Sequence, residues 1–98
     1  MAVMEIDTFQ LAEGVEEADF LDADRRMQAD FAHQQPGILR RTTARTTDGE
    51  KWVVVVLWAS EADADAAATM LHSDPVAGAF MALVDPASLE RTRVTTLG

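Results

Sequence analysis

The 98-residue sequence predicts an α+β fold, with two helices laid on one face of a four-stranded antiparallel sheet. Three observations carry this. Lys51–Ser60, read as KWVVVVLWAS, has the β-branched run of a central strand that is apolar on both faces. Asp48-Gly49, just before it, is a strong short-range hairpin signal. One helical stretch precedes that hairpin and an acidic, alanine-rich one follows it, so the hairpin joins two similar β-α-β halves.

Taken in order, Met1–Gln10 alternates as a strand does, with Met4, Ile6 and Thr8 on one face and Val3, Glu5, Asp7 and Phe9 on the other. Glu13–Gln34 reads as a helix whose apolar stripe is Phe20, Ala23, Met27 and Phe31, bordered by Asp24. Gln35-Pro36-Gly37 ends it, because Pro cannot continue a helix and Gly tolerates the left-handed turn. Ile38–Thr46 is the second strand. If Thr47 faces Glu50 across a two-residue turn, Arg45 pairs with Trp52, Arg41 with Val56 and Leu39 with Trp58. Ser60 caps the next helix, with Glu61 and Asp63 near its positive end. Ala62, Ala66 and Met70 form the stripe expected to meet the sheet. Asp74-Pro75 restarts the helix as cap and first residue, and Val76, Phe80, Leu83 and Val84 continue its buried face. Asp85-Pro86 ends it, and Leu89–Leu97 is the last strand.

The order strand, helix, strand, strand, helix, strand is that of the ferredoxin-like sandwich, a single domain over residues 1–98. Such a sandwich leaves one sheet face open, yet the central strand is apolar on both sides. A second copy packed sheet against sheet is the expected cover. Val53, Val55 and Leu57, with Arg40, are expected to face the helices. Trp52, Val54, Val56 and Trp58 are expected to face the partner.

Composition bounds the function further. The formal charge is −9, and it is unevenly placed: residues 1–35 hold nine acids against Arg25 and Arg26, whereas Arg40, Arg41, Arg45 and Lys51 outweigh Asp48 and Glu50 in the hairpin. Acidic helices repel phosphate backbones, so nucleic acid is not expected as a partner. There is no Cys, which excludes disulfides and thiolate chemistry. Met1–Gln10 lacks the basic, apolar pattern of a signal peptide, and no run approaches a membrane span, so a cytoplasmic location is expected.

Gln35-Pro36-Gly37-Ile38-Leu39-Arg40-Arg41, followed after the valine strand by Trp58-Ala59-Ser60-Glu61-Ala62, resembles the dimeric α/β-barrel superfamily, and within it the antibiotic-biosynthesis-monooxygenase-like group. The resemblance covers nearly the whole chain. It implies a ferredoxin-like protomer whose sheet closes into a barrel with that of a second copy. It also implies cofactor-independent oxygenation of a small aromatic or polyketide-like molecule, although some members of the superfamily have no assigned activity. Catalytic members often resemble one another in an Asn on the first strand, and some use a Tyr. This sequence has neither, and the first strand offers Asp7 and Thr8 instead. Where haem-degrading members carry an iron-binding His, Phe80 stands here and cannot ligate iron. No cofactor or metal is therefore expected.

The candidate site residues follow. Carbanion chemistry needs a base and a cation to hold the enolate. Asp7, Arg40 and His72 are the expected suppliers, and Met27, Phe31, Leu57 and Met70 the expected walls of a cavity between sheet and helices. Each has a plainer reading. Arg40 could pair with a helix acid at the strand edge. His72 lies about 200° around an ideal helix from Met70, which favours exposure. His33, at a helix end, suits the negative terminus, and the two His lack ligand-like spacing. Trp52 and Trp58 either supply buried area or stack on an aromatic ligand. The second functional class left open is a non-catalytic homodimer that binds a small ligand or serves as an interaction module.

Overall fold

The computed structural model describes residues Met1–Gly98. Four strands, β1 (Val3–Phe9), β2 (Ile38–Arg45), β3 (Trp52–Trp58) and β4 (Glu90–Thr95), form one antiparallel sheet in the order β2-β3-β1-β4. Helices α1 (Glu17–Arg26), α2 (Glu61–Leu71) and α3 (Pro75–Met81) cover one face. This is the ferredoxin-like arrangement that the element order predicts.

The first helix is shorter than expected. Gly14 at φ 80° and the Val15 amide bonding back to Ala12 make a turn, and Glu16 becomes the N-cap. Past Arg26 the chain widens into a π-helical turn, Met27–Phe31, then tightens into a 3-10 turn, Ala32–Gln34. The π turn lets Met27, Phe31 and Ala32 all point inward, and all three are buried. Such turns often mark functional sites. In the second half the caps match expectation. Ser60 Oγ accepts from the Asp63 amide at 3.1 Å, and Asp74 accepts from Val76 and Ala77 at 2.9 and 3.0 Å.

The hairpin register also holds, with Arg45 opposite Trp52 and Arg41 opposite Val56. It breaks only at Leu39, where a bulge pairs Ile38 with Trp58 and turns Leu39 to solvent, 58% exposed.

Which face meets the helices is the reverse of the expectation. Trp52, Val54 and Trp58 are buried under the helices together with Val3, Phe9 and Arg41. Val53, Val55 and Leu57 lie on the outer face with Arg40, which is exposed. The physical reason is bulk. Two indoles need the deep cover of helices, and Phe20 supplies it, 4.7 Å from Trp52 between ring centres. The α2 stripe is likewise re-phased: Ala64 and Ala67 are buried, while Ala62, Ala66 and Met70 face solvent. The main core gathers Phe9, Phe20, Phe31, Trp52 and Phe80. A smaller one packs Val3 and Trp58 against Ala64 and Ala67.

Candidate functional site

Between the sheet and the helices lies a cavity of about 80 Å³, with fourteen of its eighteen lining residues hydrophobic. The π turn supplies Met27 and Phe31, β3 supplies Val54, Val56 and Trp58, and α2 supplies Ala67, Ala68 and Leu71. Phe80 and Met81 of α3 complete the apolar wall.

Four charged residues enter this lining, Glu5, Asp7, Arg41 and Arg91. Alternation puts Glu5 and Asp7 on the helix side of β1, and the β1–β4 register sets Arg93 and Arg91 directly beside them. Arg91 grips Asp7 with two hydrogen bonds, Nε to Oδ1 at 2.7 Å and Nη2 to Oδ2 at 3.1 Å. Those bonds hold the Arg91 pKa above its ordinary value. Glu5 accepts from the Trp58 indole N–H at 2.7 Å and from Arg93 at 3.0 and 3.3 Å. Arg93 also donates to Asp65 on α2 at 2.7 Å, and its hydrogen bonds to Asp65 first, then Glu5, raise its pKa. The chain Asp65–Arg93–Glu5–Trp58 therefore ties α2 through β4 and β1 to one wall of the cavity.

Arg41 is the buried cation, its side chain 3% exposed. Asp24 binds it at 2.8 Å, Gln28 Oε1 accepts at 3.1 Å, and the guanidinium lies 5.5 Å from the centre of the Phe80 ring. Asp24 also accepts from Thr43 Oγ1 at 2.9 Å. No buried polar side-chain atom lacks a partner. No three His, Asp or Glu side chains come together as a metal site would require.

Of the residues expected at the site, Asp7, Met27 and Phe31 line the cavity. Arg40 does not: it sits on the outer face, and Arg41 occupies the helix side. Leu57 is displaced by the same inversion. Met70 is 49% exposed, and its neighbour Leu71 takes the wall position. His72 is exposed at the C-cap of α2, outside the lining. Asp7, Arg40 and His72 are thus not brought together. Glu5, Arg41, Arg91 and the inward face of Trp58 are the members that sequence reasoning missed. The available signal was the matched spacing of Glu5 and Asp7 with Arg91 and Arg93, two acids and two bases each at i, i+2 on neighbouring edge and inner strands.

The fold and cavity define a ferredoxin-like α+β protein with an internal apolar chamber edged by ion pairs. The family model described as antibiotic biosynthesis monooxygenase matches residues 2–73, and the chain belongs to that family. Among solved structures it is similar to a variant of SnoaB, a cofactor-independent oxygenase from Streptomyces nogalater. The two are 25% identical, with 97% of this chain and 92% of that chain covered at a TM-score of 0.78. Rv0793 from Mycobacterium tuberculosis shares the fold at 16% identity, with 100% and 95% covered and a TM-score of 0.73. So does a dimeric ferredoxin-like protein of unknown function from Jannaschia sp. CCS1, at 10% identity, 98% and 100% coverage and a TM-score of 0.74. No curated protein matches the chain. No helix is long and apolar enough to cross a membrane.

Proposed function

We propose that the protein is a cofactor-independent monooxygenase acting on a small aromatic or polyketide-like molecule held between the sheet and the helices. The observation that carries this reading is an apolar chamber edged by a carboxylate, Asp7, and two arginines, Arg41 and Arg91. Membership of the family and the likeness to SnoaB support it. The chamber, at about 80 Å³, is roughly half the size of an apolar cavity that takes benzene, near 150 Å³. The ligand therefore enters by one ring or edge. Met27 and Met81 are flexible enough to give way, and the remainder lies toward the mouth, where the Arg91 side chain is 43% exposed. An activated methylene would lose a proton to Asp7, and Arg91 would stabilise the enolate. Dioxygen then converts CH₂ to C=O with release of one water, and no external reductant is needed.

A second copy is proposed to cover the outer sheet face. Met4, Ile6, Val53, Val55 and Leu57 lie there half-buried with no element of the chain above them, and the Jannaschia structure is described as dimeric.

One observation favours a second reading, a non-catalytic ligand-binding homodimer. Each cavity acid is already neutralised within the chain, Asp7 by Arg91 and Glu5 by Arg93. Screening polycyclic phenols by thermal shift and then measuring oxygen uptake separates the two. Uptake that Asp7→Asn abolishes, with binding retained, supports the oxygenase. Binding with neither uptake nor product leaves the ligand-binding module.

A further inference from the structure

The outer face of the sheet carries two charged strand residues, at opposite corners. Strand register arranges the outward side chains in three rows. Thr8 joins Glu90 on one side and Val53 and Ala44 on the other, and Ile6 holds the middle row with Val55. Met4 joins Val94 on one side and Leu57 and Arg40 on the other. Glu90 thus ends the first row on the β4 edge, and Arg40 ends the third on the β2 edge. Both are exposed, and neither takes part in an ion pair within the chain. Arg40 has only the Thr42 hydroxyl, at 3.3 Å. The inward arginines of the same sheet, Arg41, Arg45, Arg91 and Arg93, each have a carboxylate.

We propose that Arg40 of one protomer pairs with Glu90 of a second copy, twice over, and that these contacts select the two-fold axis of the sheet-to-sheet dimer. The inference rests on the dimer reading given above. In a face-to-face isologous dimer the axis lies in the plane between the sheets, so each face is reflected across that line onto its partner. An axis along the Glu90–Arg40 diagonal sets like charges together. An axis along the other diagonal, from Ala44 to Val94, sets each Arg40 on a Glu90 and leaves Ile6 and Val55 at the apolar centre. Three strand spacings span about 14 Å and four residues along a strand about 14 Å, so the face is nearly square. The favoured axis then runs about 45° from the strands. The strands of the two sheets cross at about 90°, one of the two ways in which sheets pack.

Charge reversal tests this. In sedimentation equilibrium, R40E and E90R should each weaken the dimer roughly tenfold or more, and R40E/E90R should recover most of that loss. The chain has no cysteine, which allows a second measurement independent of affinity. Under mild oxidation R40C/E90C should form a covalent dimer, while R40C and E90C alone should not. Single cysteine variants that cross-link to themselves would show the other axis and overturn the proposal. So would a wild-type dimer whose affinity the reversals leave unchanged. A wild-type chain that stays monomeric at every concentration would overturn the dimer reading itself, and with it the pairing.

Discussion

Removing the Asp24 carboxylate would leave the Arg41 guanidinium, 3% exposed, facing only Gln28, Thr43 and the Phe80 ring. Breaking a buried pair from one side costs about 3–5 kcal/mol, because the remaining charge cannot return to water. Asp24→Ala should therefore lower the denaturant midpoint steeply, and Asp24→Asn, which keeps an acceptor, by less. Asp48 acts in the opposite setting, fully exposed in the hairpin turn. The Thr46 hydroxyl at 2.6 Å and the Glu50 amide at 2.9 Å hold its carboxyl below the ordinary value. A depressed value stabilises the fold above the unfolded pKa near 4, and that contribution fades as pH falls through the lower folded value. Melting curves from pH 6 to 2 should show Asp48→Ala converging on wild type at the acid end. At this scale the chemistry-bearing types were legible and their partners were not. Asp7 stands out in a strand as an acid, but Arg91 lies 84 residues away and meets it only through the β1–β4 pairing.

Substituting Val54 and Val55, adjacent residues of β3, should give opposite outcomes. Val54 is buried under the helices, so Val54→Asp should abolish cooperative unfolding. Val55 lies on the outer face, so Val55→Asp should leave the chain folded and shift it to monomer in sedimentation. The reverse pattern would restore the face assignment that the sequence alone suggests. The Asp48-Gly49 turn determined which residues pair, and it did so correctly from Arg40 to Arg45. Pairing says nothing about which face is covered, and a strand apolar on both sides carries no alternation to decide it. The same ambiguity misled the phase of α2, where alanines occupy both candidate stripes. Two cues were present: the bulk of Trp52 and Trp58, and Phe20 waiting on the preceding helix. The π turn had no cue at all, since Phe20, Met27 and Phe31 fit an ordinary helix as well.

For the whole molecule, element order was enough to specify topology, because short connections and right-handed crossovers leave few ways to arrange two β-α-β halves. The site was less legible because it is built where distant segments converge. Its walls come from β1, the π turn, β2, β3, α2, α3 and the edge of β4. Within the chain, β3 divides Val54 in the chamber from Val55 outside it. Ligand titration by calorimetry should saturate at one equivalent per chain in dilute and concentrated samples alike. A hybrid that joins an intact chain to an Asp7→Asn chain should keep half the turnover. In the proposed dimer two such chambers would stand back to back across a shared wall as separate vessels, so a gene duplication would let one be retuned for a new molecule while the other went on with the old.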